Sequence, residues 1–150
     1  MERILKLDRS KIISIINRLD FFDKFSIIEK HKILAFHTQF FLYHPGEIII
    51  TEGSYDSSFY ILLDGSAEVL KTANPIPLDE IQPGDFFGEI SFLTNAPRTA
   101  NVIASSQSII IRIDNRMLNR LDAQIREKIK DNIINKLVRC LIHMNEEYAA

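Results

Sequence analysis

The chain has no tryptophan, one cysteine, five glycines and five prolines in 150 residues. A single cysteine, Cys140, excludes an intrachain disulfide and a cysteine-based zinc cage. Neither sign of charge dominates. Eighteen Lys and Arg against 20 Asp and Glu leave a formal net charge of −2, which gives no basic footprint for nucleic acid and no polybasic membrane patch. Long apolar runs are also missing: Ile48-Ile49-Ile50 falls far short of a bilayer span. Met1 to Ser10 is mostly polar and charged, unlike a secretory signal. There is no G-x-x-x-x-G-K-[ST] loop and no G-x-G-x-x-G turn, so the common grips on nucleotide triphosphates and dinucleotides are absent. His31, His37 and His143 fall on expected helices and His44 on a turn, without the clustering that metal chemistry needs. No Ser-His-Asp or Cys-His arrangement stands out. A cytoplasmic, non-enzymatic protein is expected.

A hydrophobic fraction of 46% supports a sizeable core, and the length suits a single domain spanning 1–150. Three textures follow one another. Residues 1–38 are helical. Ile12, Ile13, Ile15, Ile16 and Leu19 space out an amphipathic helix over Leu7 to Leu19, and Ser26 caps a second running to about His37. Residues 39–114 read as short strands punctuated by turns. These are Phe40–Tyr43, Ile48–Thr51, Phe59–Leu63, Ala67–Lys71, Ile76–Ile81, Phe86-Phe87, Ala100–Ala104 and Ser108–Ile113. Asp64-Gly65 between two of them predicts a hairpin with both turn positions at positive φ. Residues 115–148 are helical again, bent near Asp122, with a stripe of Leu118, Leu121, Ile125, Ile129, Ile133, Leu137 and Leu141. The expected fold is α+β and mainly β: a β-roll or jelly-roll of about eight strands between helices at both ends.

One stretch, "FFGEISFLTNAPRTANV" over residues 86–102, carries the chemistry. Gly88 lies where a strand ends and a helical turn over Glu89 to Leu93 begins, so free backbone N–H groups there attract an anion. Arg98, past the loop Thr94 to Pro97, supplies a planar fork suited to phosphate oxygens. Thr99 adds a hydroxyl. The Glu89 carboxylate would repel a phosphate alone, but it accepts from a ribose 2′-OH. Phosphate plus ribose points to a nucleotide, and the missing Walker lysine favours a monophosphate. The alternative is that Arg98 and Glu89 are simply each other's partners in a ligand-free roll.

"FGEISFLTNAPRTANV" resembles the phosphate-binding cassette of cyclic nucleotide-binding domains, and "HPGEIIITEGSYDSSFYILLDGSAEVL" resembles their glycine-punctuated β-roll. The resemblance covers roughly Phe21 to Leu141. It implies that Glu89 binds the ribose 2′-OH with Gly88 giving a backbone N–H nearby. Arg98 would pair with the exocyclic phosphate oxygens, Thr99 and Ala100 would add a hydroxyl and an N–H, and Phe87 and Ile90 would complete the set. Ser91 and Phe92 depart mildly from the family's usual Ala and Leu. The ligand implied is cAMP, favoured on the family's breadth, or cGMP, with no other cofactor; the Thr after the Arg resembles cGMP-responsive relatives.

In this family the C-terminal helix is a lid over the base, which nominates Arg139 and His143 as lid residues. A second ridge, Ile134, Val138 and Ile142, widens the apolar stripe beyond what one seam needs, so an effector protein or a second copy could dock there. Glu146 to Ala150 leaves no space for the helix-turn-helix module of the superfamily's transcription factors. A stand-alone sensor, or a domain of something longer, is expected.

Overall fold

A computed structural model describes residues 2–3, 9–36 and 39–149. His37, which the sequence puts at the end of the second helix, and Leu7 and Asp8, at the start of the first, lie outside them. Helix α1 (Arg9–Ile16) buries Ile12, Ile15 and Ile16, and a 3-10 turn (Asp20–Phe22) inserts Phe21 and Phe22. Helix α2 (Ile27–Leu34) starts as the sequence predicts. Ser26 Oγ accepts from the Glu29 N–H at 3.1 Å, and Glu29 Oε1 accepts from the Ser26 N–H at 2.9 Å.

Strands β1 (Glu2–Arg3), β2 (Phe40–Tyr43), β9 (Ser108–Ile113), β4 (Phe59–Asp64) and β7 (Phe86–Phe87) form one antiparallel sheet in the order β1-β2-β9-β4-β7. The facing sheet runs β3 (Ile48–Ile50), β8 (Asn101–Ala104), β5 (Ala67–Lys71) and β6 (Asn74–Ile81). The alternation of β4 shows why its sequence is apolar throughout. Phe59, Ile61 and Leu63 pack toward the helices, while Tyr60 and Leu62 face the roll interior with Phe41, Ile50, Phe87 and Val102.

The Asp64-Gly65 hairpin is not formed. β4 pairs with β7 and β9, whereas β5 pairs with β6 and β8, so the chain passes between sheets at this point. Gly65 alone has positive φ (98°), and a Cβ there would come within 2.4 Å of the Gln107 carbonyl oxygen. Close passage of the β8–β9 loop is what demands glycine. The hairpin that does form joins β5 to β6, with Lys71 opposite Asn74. β6 begins at Asn74, ahead of the expected Ile76, because its prolines, Pro75 and Pro77, lie on a strand at the sheet edge, where a missing N–H is tolerated.

After α4 (Asn115–Arg120), capped by Asp114, the break at Leu121–Asp122 leads into α5 (Ala123–Ala149). Its 27 residues make a rod about 40 Å long. Ile125, Ile129 and Ile133 are buried and Leu137 is partly so, but Leu141 is exposed, and the expected inward stripe ends there. Ile134, Val138 and Ile142 are exposed as well. Among the described residues, no helix is long and apolar enough to cross a membrane.

Candidate functional site: the cassette between β7 and β8

Gly88 ends β7 and caps α3 (Glu89–Thr94) with φ 81°. A Cβ here would lie 2.7 Å from Arg98 Nη1 and 3.1 Å from Ile50 Cδ1, so both conformation and space call for glycine. At the far end Asn95, the one non-glycine at positive φ among the described residues (58°), donates its N–H to the Ser91 carbonyl and turns the chain toward Arg98. The backbone of Arg98 is laced to the turn after β3. Its N–H donates to Ser54 O at 2.9 Å, and its carbonyl accepts from the Gly53 N–H at 2.8 Å.

The Arg98 side chain lies inside the roll, with the residue 4% exposed. Nη1 donates to Gly88 O at 2.7 Å, Nη2 donates to Ser58 O, and Nη2 sits 3.2 Å from Asp56 Oδ2. Nε, equally buried, finds no acceptor among the described residues. Asp56 is a hub: it accepts from the Tyr60 hydroxyl and the Ser58 N–H, and Arg112 Nη2 lies 3.5 Å from its other oxygen. Burial alone would raise the Asp56 pKa. The Tyr60 hydrogen bond and the charges of Arg98 and Arg112 outweigh it and hold the carboxyl below its ordinary value. Burial and the Asp56 carboxylate push the Tyr60 phenol well above its usual range, so it remains a donor.

Glu89 is also buried, yet it points elsewhere. Its Oε1 lies 3.1 Å from Lys136 Nζ on α5. The same ammonium donates to Phe86 O and sits 4.5 Å from the Phe86 ring centroid. Arg98 and Glu89 therefore neither pair with each other nor stand open together; each has its own partner.

The other sequence-predicted residues divide. Phe87 is buried and stacks on Tyr60 with ring centroids 5.5 Å apart. Ile90 and Thr99 are exposed, and Ala100 is half-buried. A cavity of about 720 Å³ between the roll, the N-terminal helices and α5 is bordered by Phe87, Glu89 and Arg139, but not by Arg98, Thr99 or Ala100. His143 is exposed and faces Glu147 along its own helix at 3.3 Å. Sequence reasoning missed Asp56 and Lys136. No spacing rule marks Asp56, which sits in a polar loop ahead of β4. Lys136 did leave a signal, because it lies three residues after the buried Ile133, on the side where an apolar residue would be expected.

The Cyclic nucleotide-binding domain family matches the chain over residues 40–124, more than half its length, and the chain belongs to that family. A cAMP-dependent protein kinase regulatory subunit from Dictyostelium discoideum is 28% identical over 129 residues, covering 81% of this chain and 37% of that protein. The Neurospora crassa protein of the same description is 38% identical over 79 residues, covering 53% of this chain and 20% of its own. The chain thus spans about a third or less of these relatives. Among solved structures, PKAR CBD2 with Sp-2Cl-cAMPS bound superposes with a TM-score of 0.70 at 26% identity, covering 92% of this chain and 90% of that one. The Thermus thermophilus Catabolite Activator Protein shares the fold, with a TM-score of 0.73 at 21% identity over 85% of this chain and 61% of that one.

Proposed function

We propose that this domain is a sensor for a cyclic nucleotide monophosphate, cAMP in preference to cGMP, with a regulatory output and no chemistry of its own. One observation carries the reading: the Arg98 Nε–H is buried and finds no acceptor among the described residues. A buried donor left unpaired costs free energy that an anion would recover. The names of the relatives, cAMP-dependent protein kinase regulatory subunits, support cAMP.

In this reading Arg98 and the Thr99–Ala100 segment hold the phosphate, and Glu89 accepts from the ribose 2′-OH. Lys136 engages Oε1 and leaves Oε2 for the ribose, so ligand and α5 compete only for the charge of one carboxylate. The ligand moves α5 only by its differential affinity for the latched and released states. The exposed ridge of Ile134, Val138 and Ile142 is then the surface whose presentation changes, toward an effector protein or a second copy.

The test is thermal unfolding with cAMP, cGMP and AMP, on wild type and Arg98→Ala. Ligand at a hundred times its dissociation constant stabilises by ~2.7 kcal/mol, a midpoint shift of several degrees. A shift with a cyclic nucleotide that Arg98→Ala abolishes supports the sensor. A second reading, a ligand-free roll serving as an interaction domain, is favoured by the cavity's failure to reach Arg98. No shift with any of the three at millimolar concentration would leave that reading standing and end the first.

A further inference from the structure

We propose that Lys71 is a second cation for the ligand's phosphate, delivered to the cassette tip by β5; this rests on the nucleotide reading above. Lys71 is the last residue of β5, and its Nζ donates to the carbonyl oxygen of Thr99, the residue after Arg98. The approach is built into the fold. β5 pairs with β8 so that Leu70 faces Asn101, which brings the end of β5 beside Thr99 and Ala100. A polar braid fixes that junction. Asn101 Nδ2 donates to Thr72 Oγ1 at 2.9 Å, Asn101 Oδ1 accepts from the Glu52 N–H at 2.8 Å, and Glu52 Oε1 accepts from the Thr72 N–H at 3.1 Å. The strand end that carries Lys71 is therefore held against the cassette before any ligand arrives.

The charges explain what a second cation would add. Arg98 is buried and already engaged with Asp56, whereas Lys71 is exposed. An ammonium has three N–H donors, so the bond to Thr99 O leaves donors over for an anion at the same tip. With Lys71 exposed and Arg98 buried, the ammonium is the outer cation and the guanidinium the inner one. Outer and inner cations acting in series favour fast, salt-sensitive capture.

The experiment titrates cAMP into wild type, Lys71→Met and Lys71→Arg at low and high salt, with thermal midpoints confirming that each variant folds. Lys71→Met should weaken binding about tenfold at low salt, since a charge-assisted hydrogen bond is lost. That deficit should shrink at high salt as screening removes the advantage of the wild type. Lys71→Arg should restore both affinity and salt slope. A Lys71→Met variant with wild-type affinity and slope overturns the proposal. So does a loss that is equal at every salt and not repaired by Arg, which would make Lys71 only a strut for Thr99. If wild type binds no cyclic nucleotide, the nucleotide reading falls and this proposal with it. That outcome differs from wild-type binding that is indifferent to Lys71.

Discussion

Arg98 and Glu89 belong to one short cassette, yet different parts of the molecule hold them. Arg98 is fixed entirely by the roll: Asp56, the Ser58 and Gly88 carbonyls, and a backbone laced to Gly53 and Ser54. Glu89 is fixed by α5 through Lys136. Arg98 is thus preorganised by strands, while the placement of the Glu89 carboxylate depends on where one helix lies. Such a division lets a site recognise its ligand with one half and report it with the other. The two halves should therefore respond differently to the same kind of mutation.

The largest effect is expected at the roll end. Asp56→Ala leaves Arg98 buried without its counter-charge and removes the acceptor of Tyr60 and Arg112. Asp56 is itself a quarter exposed (26%), so the cost should be about 2–3 kcal/mol, below that of a fully buried ion pair. Urea unfolding would measure it, and a cost under about 0.5 kcal/mol, the level of ordinary surface substitutions, would mean that Asp56 does not hold Arg98. Acid should produce the same loss more gradually. A carboxyl whose folded pKa is depressed stabilises the fold above its unfolded value and loses that contribution as pH falls through the folded one. The stability gap between wild type and Asp56→Asn should therefore be full near neutrality and close only below the ordinary aspartate range, as pH falls through the depressed folded value. A gap that widens on acidification would contradict the assigned network.

Much of this was legible in the sequence, and the failures have physical causes. β2, β5, β7 and β9 fall where alternation and glycine place them, because each strand's pattern is local. The Asp64-Gly65 hairpin failed because positive φ at a glycine says the chain turns, but not which strand it then meets. In the site, Gly88, Glu89 and Arg98 were legible because a backbone loop fixes their spacing. Their partners were not. Asp56 and Lys136 reach the cassette through the closure of the roll and the path of α5, which no short-range rule encodes.

At the helix end a smaller effect is expected. Lys136 is 31% exposed, but its loss leaves the buried Glu89 carboxylate without a counter-charge, so Lys136→Met should cost about 1–2 kcal/mol of stability. Its consequences should be local: faster amide exchange in α5 beyond Ile133 and no change in the roll. Freeing Glu89 from its competitor should also tighten cyclic-nucleotide binding about two- to fivefold by calorimetry. Weaker binding instead would mean that Lys136 helps to hold the ligand, and the competition would be gone.

The smallest effect belongs to the outer face of α5. Ile134 and Val138 are 55% and 46% exposed, while Ile129 on the opposite face is fully buried. If α5 is held only by its inner face and the Lys136 latch, the double substitution Ile134→Ser, Val138→Ser should change stability by less than about 0.5 kcal/mol at low protein concentration. Burial elsewhere on the helix makes the contrast sharp, since Ile129→Ala should cost about 2–5 kcal/mol. A serine pair costing more than about 1 kcal/mol at micromolar protein, with the cost growing as concentration rises, would show that a second copy covers the ridge. The latch would then be only part of what positions the helix, and the division between a strand-held Arg98 and a helix-held Glu89 would extend across two chains.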